Sequence, residues 1–198
     1  GANALGSGAV NLNGGTLAAN ASRSISVGSI SIGGNVQFGE ISSNVSLAGA
    51  NNISFSSAVP VALGASTRTL TLGNSATHSL LGTISSTEGG LIFAANANGS
   101  TGTFALATGN TYTGKTQLTG GIVSGSGESI FGGNPASFVA DQITFNGGTL
   151  SASGNISFSS NRGITFTGST NTLNTNANNI TLTSVCTGAG GFTKTGSG

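Results

Sequence analysis

The chain has 198 residues, of which 36% are hydrophobic and only 5% are charged, and its formal net charge is +1. An average globular domain is about 25% charged, so the surface is predicted to be neutral and polar. The five scattered basic residues argue against a nucleic-acid site or an anionic-membrane patch. No apolar run reaches the roughly 18 residues of a transmembrane helix, and a single cysteine allows no internal disulfide framework.

In chain order, the sequence predicts short strands with an apolar-polar-apolar pattern, separated by Gly, Asn and Ser at turn positions. The clearest predicted strands are Val10–Leu12, Ile30–Ile32, Val36–Phe38, Val45–Leu47, Ile53–Phe55, Leu70–Leu72, Leu91–Phe93, Phe104–Leu106, Ile143–Phe145, Ile156–Phe158, Ile164–Phe166 and Ile180–Leu182. Gly and Asn tolerate the positive φ that tight corners require. This spacing predicts either a β-sandwich or a parallel solenoid.

Internal repeats favour the solenoid. The segment Val10–Leu17 returns as Ile143–Leu150, and the segment Asn52–Ser57 returns as Asn155–Ser160. A third match begins at Leu81 and returns at Leu182. The first pair of segments is separated by a longer stretch than the other two pairs, so the first copy carries an insertion, which we place within residues 21–50. A solenoid absorbs such an insertion because each coil contacts only its neighbours.

Residues 109–123 carry a more specific motif, which reads Gly-Asn-Thr-Tyr-Thr-Gly-Lys-Thr-Gln-Leu-Thr-Gly-Gly-Ile-Val. The motif resembles the autotransporter-associated β-strand repeat, also called the passenger-associated transport repeat, with Gly121-Ile122-Val123 in place of the usual closing Gly-x-Leu. Residues 2–17 match what commonly follows that repeat, and residues 191–198 match what commonly precedes it. The resemblance implies a right-handed parallel β-helix of a bacterial surface or secreted protein. In the family such repeats support secretion and folding and hold functional regions away from the cell.

We therefore predict an all-β fold, a right-handed parallel β-helix or β-solenoid, that spans residues 1–198 without a second domain. Residues 1–126 are predicted to be the end of one module with its repeat linker, and residues 127–198 the start of the next. About 20 residues per coil would give nine or ten coils and a rod on the order of 45 Å long. The residues predicted to be buried are Val10, Leu12, Leu17, Ile53, Phe55, Ile143, Phe145, Leu150, Ile156 and Phe158.

A search for chemistry identifies no catalytic, metal-binding or cofactor-binding residue. The acidic residues fall in different predicted coils, so solvated turn positions are favoured over a convergent carboxylate pair; they are Glu40, Glu88, Glu128 and Asp141. His78 has no second histidine or cysteine pair near it and is predicted to lie at the surface or in a turn. The basic residues Arg23, Arg68, Lys115, Arg162 and Lys194 form no cluster.

Three further motifs are better explained by structure than by function. Cys186 aligns with Ser85 in the earlier copy, which predicts an outward position, whereas alternation from Leu182 predicts an inward one; in either case a reactive thiol is disfavoured. Residues 188–195 lack the glycine that a phosphate-binding loop needs before its lysine. The Thr-x-Thr pairs that begin at Thr69, Thr165 and Thr181 do not fall in obvious successive coils, so the β-propensity of threonine explains them better than ice binding does.

The sequence favours a non-catalytic structural stalk or fibre segment of a large extracellular or cell-surface protein, with no cofactor. The alternative is an adhesin module that binds a host surface, a glycan or a neighbouring cell. A glycan-cleaving enzyme is disfavoured because the acidic residues are few and scattered. The expected partners are further repeats of the same chain, because both ends resemble the middle of a repeat. A cut solenoid exposes backbone N–H and C=O groups, so we expect the isolated chain to stack end to end or to associate laterally.

Overall fold

The computed structural model describes residues 5–40 and 51–198, and this part of the chain consists almost entirely of short strands. The strands are β1 (Ala9–Leu12), β2 (Gly15–Leu17), β3 (Arg23–Ile25), β4 (Ser29–Ile32), β5 (Val36–Phe38), β6 (Ile53–Phe55), β7 (Val61–Ala62), β8 (Arg68–Leu72), β9 (Thr77–Leu80), β10 (Ile84–Ser85), β11 (Leu91–Ala95), β12 (Thr103–Leu106), β13 (Thr116–Leu118), β14 (Ile122–Gly125), β15 (Val139–Phe145), β16 (Thr149–Ala152), β17 (Ile156–Phe158), β18 (Arg162–Phe166), β19 (Asn171–Asn174), β20 (Ile180–Leu182), β21 (Cys186–Thr187) and β22 (Phe192–Thr195). One 3-10 helix, η1, spans Glu128–Phe131. The predicted strand Val45–Leu47 lies outside the described residues.

The strands stack in parallel into three walls, which we call face 1, face 2 and face 3. Face 1 contains the sheet β1-β4-β7-β10 and, further along, the pair β17-β20. Face 2 is the sheet β2-β5-β8-β11-β13-β15-β18-β21, and face 3 is the sheet β3-β6-β9-β12-β14-β16-β19-β22. The chain visits the three faces in order, once per coil, for about eight turns. The prediction of an all-β parallel β-solenoid is therefore confirmed.

The coils are fewer and longer than predicted, and their lengths differ. On face 3, Phe104 pairs in register with Val123, and Val123 pairs in register with Leu150 one coil further on. The second of these coils is the longer one, because η1 and the segment before β15 lie within it. A solenoid tolerates such extra residues at its corners because the wall strands still pair. Eight coils at the interstrand spacing of about 4.8 Å span on the order of 35 Å.

Parallel pairing in register places like residues above one another inside the solenoid. On face 2, Phe93, Leu118, Phe145 and Phe166 follow one another in four successive coils, and each is buried. Alternation along each strand sends every second residue inward. The apolar-polar-apolar pattern therefore converts directly into a continuous core along the axis.

Seven of the ten residues predicted to be buried are buried, and Val10, Leu12 and Leu17 are only half-buried. These three lie in β1 and β2, which stand at the edge of their sheets in the described part of the chain and pair on one side only. An inward side chain needs a coil above and a coil below for full burial. The prediction of complete burial is therefore wrong for the first described coil.

The internal sequence repeats do not occupy equivalent walls. Val10 lies on face 1, whereas its counterpart Ile143 lies on face 2. Ile53 lies on face 3, whereas its counterpart Ile156 lies on face 1. The second copy is thus advanced by one face, because all three walls require the same apolar-polar-apolar strand. The repeated segments specify strands and corners without specifying the wall.

Face 1 is interrupted in the middle of the described solenoid, between β10 and β17, where no regular strand forms. One coil passes this wall through Asn110 and Tyr112, and the next passes it through η1. Backbone hydrogen bonds still connect these coils: Thr111 donates to the Ile84 carbonyl at 2.9 Å, and Gly133 donates to the Tyr112 carbonyl at 2.9 Å. The interruption creates space for side chains that the regular walls do not accommodate.

Candidate functional site

A buried ion pair lies behind the interrupted wall. The Arg162 side chain, at the start of β18, is fully buried, and its Nε lies 3.3 Å from Oε2 of Glu128 in η1. Nη1 donates to the Phe131 carbonyl at 2.6 Å and Nη2 donates to the Gly132 carbonyl at 3.0 Å. The guanidinium thereby binds the carbonyl oxygens at the end of η1 that no strand partner satisfies.

Glu128 is held as firmly as its partner. Its Oε2 also accepts a hydrogen bond from the Ser159 backbone N–H at 2.8 Å, and the side chain is 23% exposed. Burial lowers the pKa of Arg162, and the nearby Glu128 carboxylate opposes this shift. The prediction that Glu128 is a solvated turn residue is therefore wrong: it joins two coils through an ion pair and a backbone hydrogen bond.

The motif at residues 109–123 supplies the rest of this cluster. Asn110 is buried; its Oδ1 accepts from the Ile84 N–H at 2.8 Å, and its Nδ2 donates to the Ile130 carbonyl at 3.2 Å. Tyr112 is also fully buried, its hydroxyl lies 2.8 Å from Oγ1 of Thr116, and burial raises its pKa. The Asn and Tyr of the motif therefore connect coils and fill the core where face 1 has no strand.

Two glycines of this region are required by close approach between coils. A Cβ at Gly114 would collide with the backbone of Gly89 and Gly90, and Gly132 has a φ of 83° and faces the carbonyl oxygen of Tyr112. Any side chain at either position would push two coils apart. The glycines thus permit the tight corner that the asparagine then fixes.

His78, in β9, is the second buried polar group, and the prediction of a surface or turn histidine is wrong. Its Nδ1 accepts a hydrogen bond from the Ile53 N–H at 3.2 Å, so the proton resides on Nε2, which lies 3.0 Å from Oδ1 of Asn74. The ring packs between Phe38 and Phe104, with centroids 5.7 and 6.2 Å away. Burial lowers its pKa from 6.5 to about 4, so the imidazole is neutral near pH 7.

The remaining charged residues do not join these clusters. Lys115 forms an ion pair with Asp141 at 2.7 Å, and both side chains are about half-exposed. Glu40 and Glu88 are exposed, and the Arg23 guanidinium hydrogen-bonds to Asn20 at 3.2 Å. Among residues 5–40 and 51–198, no three His, Cys, Asp or Glu side chains come together.

Cys186 reconciles its two predicted orientations. It pairs in register with the inward residue Ile164, as alternation predicts, yet it is exposed because β21 is the last strand of face 2 in the described chain. Desolvation of the sulfur raises the pKa of its thiol, which disfavours the reactive thiolate. In residues 188–195, Lys194 Nζ donates to the Gly196 carbonyl at 2.9 Å, a local contact.

A shallow groove of about 510 Å³ follows the corner between faces 2 and 3. It is lined by small and neutral residues, among them Asn96, Ser100, Thr119 and Ile122. The lining provides backbone groups, amides and hydroxyls, but no charge and no aromatic ring. The groove can hold a neutral polar ligand, but its lining brings no acid or base to one.

The side chains with the greatest chemical versatility are thus committed to the fold. Arg162, Glu128 and His78 each hydrogen-bond to the backbone of a neighbouring coil. The sequence alternation contains the signal for two of them, because Arg162 precedes Ile164 and Phe166 in phase, and His78 precedes Leu80 in phase. Residue type alone had suggested the surface for both.

Comparison with models of known protein families, with characterised proteins and with solved structures found no match. In the described part of the chain, no helix has the length and apolar character needed to cross a membrane. The description of this chain as a β-solenoid therefore comes from its own strand pairing.

Proposed function

We propose that this chain is a non-catalytic structural segment, a β-helical stalk, of a large bacterial surface or secreted protein of the autotransporter type. The observation that carries the proposal is the use of the polar groups: His78, Arg162 and Asn110 bind backbone atoms of adjacent coils. Each therefore contributes to holding coil on coil along the rod. The resemblance of residues 109–123 to the autotransporter-associated repeat supports the class of parent protein.

A stalk must carry load along its axis and remain solvated, and two features suit this task. The backbone hydrogen bonds of the parallel sheets run along the rod, so extension strains many bonds together. The chain is rich in Ser, Thr and Asn and has a net charge of +1, so its outer surface is hydrated without strong electrostatic attraction to other molecules. We propose the cell surface or the extracellular space as the location of this segment.

The corner groove favours the adhesin alternative. Its neutral polar lining, from Asn96 to Thr149, suits a glycan hydroxyl better than a charged ligand. Glycan binding would leave the stalk architecture unchanged and would add a function to one corner. We rank it second because aromatic side chains, which supply large contact area in binding sites, are missing from the lining of this groove.

A surface-display experiment tests the proposal. The chain is placed between a signal sequence and the membrane barrel of an established autotransporter, with an epitope at the outer end of the chain. We expect the epitope to be antibody-accessible on intact cells and the displayed chain to resist protease. The matched variant Phe145→Asp, which places a charge in the core ladder, should be displayed poorly or digested.

Two results would contradict the stalk proposal. One is failure of the native chain to reach the surface when the carrier alone does. The other is adhesion of displaying cells to a glycan array that is lost when Ser100→Tyr fills the groove, which would make binding the principal function. Cells that display the folded chain without acquiring adhesion support the stalk.

A further inference from the structure

Face 3 presents a regular array of threonines on its outer side. In-register pairing through β9, β12, β14, β16, β19 and β22 stacks one outward residue per coil over six successive coils. These residues, which we call the threonine strip, are Thr77, Thr103, Ile122, Thr149, Thr172 and Thr193. The Thr-x-Thr pairs singled out in the sequence belong to other walls, so this array emerges only from the three-dimensional register.

A second row runs parallel to the strip, two residues further along each strand. It consists of Ser79, Ala105, Ser124, Ser151, Asn174 and Thr195. Neighbouring coils are about 4.8 Å apart, and residues two positions apart along a strand are separated by about 6.7 Å. The two rows therefore form a near-rectangular grid of small uncharged side chains, on the order of 24 Å long.

The hydroxyls of the strip are turned outward and are not used by the fold. All six residues of the strip are half-buried or exposed, and in the described part of the chain none of the five threonine hydroxyls hydrogen-bonds to protein. Face 2 differs: Thr119 and Thr167 donate to backbone carbonyls, and Thr165 pairs with Thr187 at 3.0 Å. Within the described coils, a long threonine array therefore remains available to a ligand only on face 3.

We propose that the threonine strip binds the surface of ice crystals. A flat and periodic array gains most from a ligand that is itself flat and periodic, because every coil then makes the same contact. Each threonine offers one hydroxyl and one methyl group in a stiff rotamer, so little side-chain entropy is lost when water is ordered against it. The row spacing is of the size that separates rows of water oxygens in hexagonal ice. Ile122, the one exception, keeps the β-branched shape.

Two other occupants are less well matched by the same face. A crystalline polysaccharide is also periodic, but the two rows provide no aromatic ring for a sugar to stack on. A second copy of this chain would bury the array against an identical one, but the grid has no protruding side chain to enter a facing pocket, as interface cores require. The inference is independent of the proposed stalk function, since it concerns only the outer side of one wall.

The test measures thermal hysteresis and inhibition of ice recrystallisation by the purified chain. We compare Thr149→Tyr, in the centre of the strip, with Thr144→Tyr, an outward position of face 2 on the preceding strand. Tyrosine has high β-propensity, so both variants should keep the fold, which circular dichroism and urea midpoints verify. We expect Thr149→Tyr to lose most of the ice activity and Thr144→Tyr to retain it. Thr103→Tyr, two coils away on the strip, should repeat the loss.

Three outcomes would overturn the proposal. The folded native chain could show neither hysteresis nor recrystallisation inhibition. The face 2 variant could lose as much activity as the strip variants, which would remove the assignment to face 3. Finally, Thr149→Tyr could abolish sedimentation with microcrystalline cellulose or chitin, or self-association in the ultracentrifuge, while ice activity is absent; the array would then serve one of those occupants.

Discussion

Acidification should destabilise this solenoid through His78. The imidazole is fully buried and neutral, with Nδ1 occupied by the Ile53 N–H and Nε2 directed at Asn74. Its pKa is lowered from 6.5 to about 4 by burial. Between these values the unfolded chain binds a proton that the folded chain does not bind. The stabilising contribution is therefore complete above pH 6.5 and is lost as the pH falls toward 4.

The size of the effect follows from the two pKa values. Linkage between 6.5 in the unfolded chain and about 4 in the folded chain predicts a loss of about 2 kcal/mol in the free energy of unfolding from about pH 7 to about pH 5. The limiting slope is about 1.4 kcal/mol per pH unit. Most carboxyl groups titrate below about pH 5, so this window isolates the histidine.

Urea unfolding at a series of pH values measures the loss, and His78→Asn is the matched control. Asparagine already performs the same task twice in this chain: Oδ1 of Asn110 accepts from the Ile84 N–H at 2.8 Å, and Oδ1 of Asn171 accepts from the Gly147 N–H at 2.7 Å. The variant should fold and should lose the pH slope. Equal slopes in the native chain and the variant, or a native chain that is more stable at pH 5, would refute the reasoning.

Three mutational predictions follow from the core and from the interrupted wall, and urea midpoints measure each of them. Arg162→Met leaves Glu128 and two carbonyls without their partner and should cost about 3–5 kcal/mol, whereas Lys115→Met at the half-exposed pair should cost less than about 1 kcal/mol; equal losses would contradict a structural ion pair. Phe158→Ala should cost about 3–5 kcal/mol and Phe138→Ala, 47% exposed, about 0.5 kcal/mol; the reverse order would show a wrong register. Gly132→Ala, at a φ of 83° against the Tyr112 carbonyl, should cost about 2 kcal/mol or more, and an unchanged midpoint would mean that this corner is loose.

Sequence periodicity predicted the strands well because the solenoid applies one local rule in every coil. Val36–Phe38, Ile53–Phe55 and Ile156–Phe158 are strands with the predicted bounds, because an apolar-polar-apolar triplet between glycine corners has one stable place, a wall. Coil length was not predictable in the same way. The coil from Val123 to Leu150 is longer than the coil before it, and no local pattern marks where such a segment rejoins the wall.

The polar interior was missed for a different reason. His78 and Arg162 occupy inward positions of the alternation, but histidine and arginine are rarely buried, so residue type outweighed phase. Their burial depends on acceptors and donors from other coils, such as the Phe131 carbonyl and the Ile53 N–H. The threonine strip was missed because it is a property of register between coils of unequal length. Within single strands it appears only as isolated threonines.

Removal of one whole coil tests the stacked-coil architecture most directly. Leu70 and Phe93 are in-register partners, so deletion of residues 71–93 joins β8 to the end of β11 with every remaining strand on its own wall. Deletion of residues 71–80 is smaller, but it removes β9 and no other whole strand, which leaves the chain one wall short. Circular dichroism and urea unfolding of both variants are the measurement. We predict a cooperatively folded whole-coil variant and an unfolded or aggregated one-wall variant; a folded one-wall variant beside an unfolded whole-coil variant would contradict the solenoid.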